Sequence, residues 1–263
     1  MGYCRQSGIS CGCHGWSRCD GCARVVGNVI NCRVPEAYYQ AVRLPMLSLV
    51  RGEPNSVLEV GCASGQTLAY LSEQGARRLV GIECSPEIAA LAQARGVGRI
   101  IVGDVERINL DLEPNSFDLI VAGHVLEHLA DPWTALKTLT GFLRPGGQLV
   151  AGVPNVRHQS VVLPLLFCGR WRYQPEGIMD WTHLRFFSRQ TIRDLMGSAG
   201  LTVERIVPEF GRKHRIANAV SLHLLRHFLA YAYNISAFKP GSVGEQSGGA
   251  SFAAGQAARQ PAA

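Results

Sequence analysis

Val57-Leu-Glu-Val-Gly-Cys-Ala-Ser-Gly-Gln-Thr-Leu-Ala-Tyr-Leu71 runs from an apolar β-type segment, through an acid and a glycine-flanked turn, into the opening of a helix. That order builds a nucleotide-sized site at the carboxyl end of a parallel strand. The spacing discriminates between ligands. Gly61-Cys-Ala-Ser-Gly65 is G-x-x-x-G, whereas a dinucleotide loop reads G-x-G-x-x-G, and the lysine that follows the second glycine of a triphosphate loop is missing. A neutral turn with Glu59 just before it suits a ligand with a positively charged end better than a pyrophosphate.

Outward from this turn, strand and helix signals alternate. Tyr38–Val50 has helical periodicity, Val57–Val60 is a strand, and Thr67–Gln74 is the helix after it. Arg78–Glu83 is a second strand. Ser85-Pro-Glu then caps a helix that continues through Ile88–Arg95. Arg99–Val102 and Phe117–Ala122 are strands, Pro132–Leu143 a helix, Pro145-Gly-Gly a turn and Gln148–Val153 a fifth strand. Residues 155–187, and Asn155–Thr182 above all, break the rhythm and read as a lid-like insertion. Ser188–Ala199 is a helix with Ser188 as cap and Gly200 as stop; Leu201–Val207 and Tyr231–Phe238 are strands, and Ile216–His227 is helical. The expected fold class is α/β: a doubly wound, mostly parallel seven-stranded sheet. The expected domain is 36–240, preceded by a cysteine-rich extension over 1–35 and followed by a disordered tail over 241–263.

The 263 residues, 47% of them hydrophobic, suffice for one such domain with a full core. No apolar run approaches the roughly 18 residues of a membrane span, and the polar, cysteine-rich Met1–Cys22 is not a signal peptide. Nine cysteines, with Cys62, Cys84 and Cys168 scattered singly, point to a reduced, cytoplasmic protein. Cys11-x-Cys13-x5-Cys19-x2-Cys22 could hold zinc on four thiolates; the alternatives are an unstructured extension or an unnatural start. The net charge of +6 is concentrated between Arg170 and Arg215, where nine cations face five acids. A solvated basic face or an anionic partner both fit. Without a long Lys/Arg run or an aromatic platform, nucleic acid is not expected, while peripheral contact with a membrane surface stays open.

Glu59, Gly61 and Gly65 resemble motif I of class I S-adenosylmethionine-dependent methyltransferases, E/D-x-G-x-G-x-G, with Ala63 in place of the middle glycine. The likeness extends over roughly Tyr38 to Pro240. Leu79-Val-Gly-Ile-Glu83 resembles the family's second strand, 22 residues beyond Gly61; Ile101-Val-Gly-Asp-Val105 its third motif; Phe117–Pro132 its fourth strand and following helix; and Leu143–Leu149 its approach to the fifth strand. The resemblance implies a Rossmann-like fold and S-adenosylmethionine as cofactor. The implied cofactor contacts are Glu59, Gly61, Cys62, Ala63, Gly65, Glu83, Cys84, Asp104, Val105 and His124. Glu83 would take the ribose hydroxyls, Asp104 the adenine amino group, and Val105 would pack on the ring. Glu83 alone would serve NAD equally. Gly177–Ser188 and the helix after it look like small-molecule methyltransferases found beside glycosyltransferases, which implies a small-molecule or glycan acceptor and transfer to oxygen.

His124-Val-Leu-Glu-His128 also spells H-x-x-E-H, an inverted zinc-protease motif, but that motif needs both histidines on one helix, and His124 ends a strand. Under the resemblance, His124 faces the acceptor, Glu127 and His128 begin the next helix, and some quinone-precursor O-methyltransferases use an acid/histidine cluster near here for a divalent ion. Displacement at a sulfonium needs alignment and, for an alcohol acceptor, a base. The candidates are His124, His183 and His128, with Asp180 orienting a histidine and Arg185 holding an anionic acceptor group. The competing readings are a non-catalytic S-adenosylmethionine-binding regulatory protein, a quinone-precursor O-methyltransferase and an NAD-linked oxidoreductase.

Overall fold

Most of the strands come from largely apolar runs closed by glycine, proline or an acid, and the last from the alternating segment near the end of the domain. They form one sheet in the computed structural model, which describes residues 42–241. In chain order the elements are α1 (Leu44–Leu47), β1 (Ser56–Val60), α2 (Gln66–Glu73), β2 (Arg78–Glu83), α3 (Pro86–Arg95), β3 (Arg99–Val102) and β4 (Phe117–Gly123). A 3-10 turn (Leu126–His128), α4 (Pro132–Phe142), β5 (Leu143–Pro154), α5 (Gln159–Cys168), α6 (Arg189–Ser198), β6 (Thr202–Glu209), α7 (Arg212–Val220), α8 (Arg226–Leu229) and β7 (Ala232–Phe238) follow. The strand order is β3-β2-β1-β4-β5-β7-β6, and only β7 runs antiparallel to its neighbours. The chain moves outward from β1 to β3, then crosses back to β4. The switch point thus lies between β1 and β4, where an open α/β sheet leaves a crevice at its carboxyl edge.

Alternation along the strands divides the core into two layers. Leu58 and Val60 of β1 and Ile120 and Ala122 of β4 pack with Leu136 and Leu139 of α4 and with Ile192 and Leu195 of α6. Val57, Leu119 and Val121 point the other way, onto Met46 of α1, Leu68 and Leu71 of α2, and Ala92 of α3. Glu59 shares parity with Val57, so its side chain lies on the α2 face rather than in the α4–α6 layer.

The caps read from sequence form: Ser85 Oγ accepts from the Ile88 N–H, and Ser188 and Thr191 make a reciprocal capping box. Elsewhere the structure corrects the expectations. Of the helix expected over Tyr38–Val50, the described part is helical only over Leu44–Leu47, with Pro45 in its first turn. The expected turn at Pro145-Gly-Gly lies inside β5, whose register with β4 slips between Phe117 and Leu119. Glu127 and His128 do not begin a helix; they form the separate 3-10 turn, and α4 starts only at Pro132, capped by Asp131 accepting from the Thr134 N–H. The single helix expected over Ile216–His227 is two, because Leu222 and His223 adopt left-handed φ values of 49° and 66°. The insertion contains an unexpected helix, α5, stopped by Gly169 at φ 61°. The segment around α5 is not a free flap. Asn155 bridges to Phe187, and the Val156 N–H donates to the Phe187 carbonyl. Cys11, Cys13, Cys19 and Cys22, the extension over 1–35 and the tail beyond 241 lie outside the described residues. No helix among the described residues is long and apolar enough to cross a membrane.

Candidate functional site

The turn after β1 closes tightly. The Gly61 and Cys62 N–H groups both donate to the Ile82 carbonyl, at 2.8 and 3.0 Å, so the loop leans on β2. Gly61 has φ 67°, and a Cβ there would stand 2.6 Å from Val125 Cγ2; Gly65, at φ 77°, is the N-cap of α2. Left-handed backbone and close approach together require glycine at Gly61. Ala63 makes the same excursion, φ 48°, with a side chain in place, and carries the strain that glycine would avoid.

Two acids flank the turn differently. Glu83, at the end of β2, is buried and holds the loop: Oε2 accepts from the Ala63 N–H and Oε1 from the Ser85 N–H, both at 3.0 Å. Oε2 keeps a lone pair for a further donor. Glu59 is buried on the other side of the turn, and one of its carboxyl oxygens has no hydrogen-bond partner. Burial drives its pKa up to about 8; a hydrogen bond from Thr67 pulls it down, and the nearby Glu83 raises it again. An orphaned, reluctantly neutral carboxyl beside an open turn is a receptor for a cation.

The remaining expected cofactor residues divide. Cys62 is buried with its sulfur against Gly81, so only its backbone faces the loop, and burial holds its thiol far above the usual range. The Cys84 Sγ–H donates to Glu83 Oε1. Asp104 follows β3, where Oδ1 accepts from the Glu106 N–H and Oδ2 pairs with Arg107; Val105 beside it is half-buried against the core.

One strand over, β4 ends at Gly123, and His124 turns the chain with φ 60° while its N–H donates to the Gly152 carbonyl. The absent side chain of Gly152 makes room for the imidazole: a Cβ there would sit 3.3 Å from His124 Nε2 and from Asn234 Oδ1. His124 Nδ1 lies 3.0 Å from Glu127 Oε1. Glu127 is 1% exposed, and burial alone would raise its pKa. The hydrogen bond that His124 donates is the largest of the influences that overcome burial and hold the carboxyl ionised. A carboxylate there fixes Nδ1 as the protonated nitrogen and leaves the Nε2 lone pair available. Sequence reasoning placed Glu127 only in a metal cluster; the i,i+3 spacing from His124 through a tight turn was the signal for this pairing.

His128 and His183 stand on the other side of Glu127. His128 Nδ1 donates to the Thr182 carbonyl and His183 Nδ1 to the Ile178 carbonyl, at 3.2 and 2.9 Å, and the two rings meet edge-on at 4.8 Å. Burial lowers the pKa of His128, against the pull of Glu127. Glu127 Oε2 is buried without a partner, and atoms of Glu127, His128 and His183 lie within 4.8 Å of one another. One carboxylate and two imidazoles suit a divalent transition ion.

Two further residues of this stretch bond elsewhere. Asp180 Oδ1 accepts from the N–H and hydroxyl of Thr182 at 2.8 and 2.6 Å rather than from a histidine ring. Arg185 is committed to the Ala130 carbonyl, with its guanidinium over the Trp133 ring. The stretch nevertheless closes on the site, since the Leu184 and Arg185 N–H groups both donate to the Glu127 carbonyl.

A family model described as a methyltransferase domain matches residues 36–206. The chain belongs to this methyltransferase family. The methyltransferase recognised from its motifs is therefore the one found. A sequence relative is an "uncharacterized 37.1 kDa protein in transposon TN4556" of Streptomyces fradiae, 33% identical over 206 residues, covering 71% of this chain and 58% of that protein. Another is a ubiquinone biosynthesis O-methyltransferase of Cereibacter sphaeroides, 26% identical over 150 residues, covering 55% of this chain and 59% of that enzyme. The chain thus spans less than two thirds of these relatives' lengths. An S-adenosylmethionine-dependent methyltransferase from Mesorhizobium loti shares the fold, with TM-score 0.56, 20% identity, and coverage of 74% of this chain and 96% of that one.

Proposed function

We propose that this methyltransferase uses S-adenosylmethionine to methylate an oxygen on a small-molecule or glycan acceptor. The observation that carries the reading is the His124–Glu127 pair, one strand away from a turn flanked by Glu59 and Glu83. In this reading the ammonium of the cofactor's methionine end meets Glu59 and its ribose hydroxyls meet Glu83. Asp104 and Val105 receive the adenine, and the backbone of Gly61 to Gly65 lies along the chain between. The donor carbon is activated by the sulfonium charge, so the protein's contribution is alignment and proton removal. A bound sulfonium would supply the activated methyl group and leave as a neutral thioether, and His124 Nε2 would take the proton of the acceptor oxygen. Glu127 stabilises the imidazolium that results. Unpaired Cys62, Cys84 and Cys168 fit a reducing, cytoplasmic setting.

Transfer to a quinone precursor is the second reading. The likeness to ubiquinone biosynthesis O-methyltransferases and the Glu127, His128 and His183 cluster favour it. Those three residues would hold a divalent ion, and a bound ion would supply Lewis acidity toward a phenolic oxygen. Incubation of the protein with S-adenosylmethionine and panels of catechols, hydroxylated benzoates and nucleotide sugars, read by mass spectrometry, tests both. A methylated sugar supports the first and a methylated catechol the second. Cofactor binding with no turnover on any panel would leave a regulatory binding protein.

A further inference from the structure

Two segments flank the candidate site and share an unusual composition. Residues 156–175 carry Arg157, Arg170 and Arg172, residues 210–229 carry Arg212, Lys213, Arg215 and Arg226, and neither segment contains a single Asp or Glu. Both leave the carboxyl edge of the sheet. β6 and β5 are each antiparallel to β7 and therefore point the same way, so α5 after β5 and α7–α8 after β6 emerge where Gly61 and His124 lie. The segments meet each other. Gln159 Nε2 is 2.7 Å from His214 Nε2, the His158 and His214 rings touch edge-on at 4.9 Å, and Arg157 and Arg226 both bear on His227.

Several of their large apolar side chains face outward. Leu166 and Phe167 at the end of α5, and Val220, Leu222 and Leu224 where α7 breaks, are exposed, the last two at 80% and 85%. In α7, Asn218 is buried, while Lys213, Arg215, Ile216 and Val220 lie in water. Isolated exposed aliphatic residues are ordinary; a cluster of them among cations is not. Among the described residues, Arg157, Arg170, Arg172, Lys213, Arg215 and Arg226 form no ion pair with a carboxylate. A second copy of the chain would press two cationic, acid-free surfaces together. A nucleic acid would use the cations but strand Leu222, Leu224 and Val220 in water. An anionic bilayer satisfies both sets at once, since aliphatic side chains enter the headgroup–acyl boundary while Arg and Lys meet lipid phosphates.

We propose that the rim formed by 156–175 and 210–229 docks this protein on an anionic phospholipid bilayer, so that the methyl acceptor reaches the site from the membrane surface. The docking stands on the surface itself, and the role for the acceptor rests on the methyltransferase reading. The test is co-sedimentation of the full chain with vesicles of phosphatidylcholine, with and without phosphatidylglycerol, beside calorimetry with S-adenosylhomocysteine. The wild type should sediment with the phosphatidylglycerol vesicles, less so in high salt, and remain in solution with phosphatidylcholine alone. Leu222→Glu/Leu224→Glu and Lys213→Glu/Arg215→Glu should each weaken vesicle binding by about tenfold or more. All four residues are exposed and none is among those placed at the cofactor turn, so S-adenosylhomocysteine binding should persist and report intact folding. Docking is overturned if the wild type ignores anionic vesicles, if both double variants bind as tightly as it does, or if these residues instead mediate dimerisation or RNA binding. Vesicle binding without S-adenosylhomocysteine binding would keep the docking and remove the acceptor role.

Discussion

Glu59→Gln should make this protein more stable and less able to hold its cofactor. Glu59 is buried, has an unpartnered oxygen, and keeps its proton up to about pH 8, while an unfolded chain would release it near the ordinary 4.5. Between those values the folded state holds more protons than the unfolded one, so stability falls as pH rises through the window from 4.5 to 8. The full displacement corresponds to about 5 kcal/mol above the window, of which about 3 kcal/mol is already lost at pH 7. Glutamine copies the neutral carboxyl and can keep the bond to Thr67, but it cannot ionise. Urea unfolding at about pH 5, 6, 7 and 8 should therefore show variant and wild type similar at the acid end. The variant's advantage should then widen by about 1.4 kcal/mol for each pH step. Calorimetry should show S-adenosylhomocysteine binding weakened by about tenfold or more, because the ligand's ammonium has lost its counter-charge. A stability difference that does not change with pH would refute the burial argument. A stabilised variant with undiminished affinity would refute the assignment of Glu59 to the cationic end of the ligand.

Three further outcomes follow from the same geometry. His124→Ala should lower kcat by about a hundredfold or more while leaving S-adenosylhomocysteine affinity near wild type, since the imidazole acts on the acceptor's proton; an unchanged kcat would remove it as base. Ala63→Gly should relieve roughly 1 kcal/mol of left-handed strain and raise cofactor affinity up to about fivefold by calorimetry, whereas a loss of affinity would mean that the methyl group contacts the ligand favourably. Titration with Mn2+ or Zn2+ should give a site at Glu127, His128 and His183 that His183→Ala weakens by about tenfold or more; equal binding by the variant would leave the cluster without a metal role.

Much of this was legible in the residues. Val57–Val60, Arg78–Glu83 and Phe117–Ala122 read as strands because they are short, mostly apolar runs bounded by glycine or an acid, as expected of strands covered on both faces. Ser85 and Ser188 read as caps because a hydroxyl precedes a helical pattern. Helix α5 escaped because its apolar residues follow no single face: Val161 is buried while Leu166 and Phe167 are exposed, and Pro164 stands inside it. The break at Leu222–His223 escaped because neither residue signals left-handed backbone, and Ala63 and His124 hide the same conformation in the site. The commitments of Asp180 to Thr182 and of Arg185 to Ala130 depend on where the chain returns after α5, which local pattern does not specify. The pairing of His124 with Glu127 lay between: its spacing was visible, but only the strand end followed by a 3-10 turn brings the groups to 3.0 Å.

The central claim is that Gly61–Gly65, flanked by Glu59 and Glu83, is a site for a sulfonium cofactor and not for a dinucleotide. Isothermal calorimetry on the full chain with S-adenosylhomocysteine and with NAD measures this directly. S-adenosylhomocysteine should bind at roughly micromolar Kd, at least about tenfold more weakly to Glu83→Ala, and NAD should give no heat of binding. Saturable NAD binding, with none of S-adenosylhomocysteine, would contradict it.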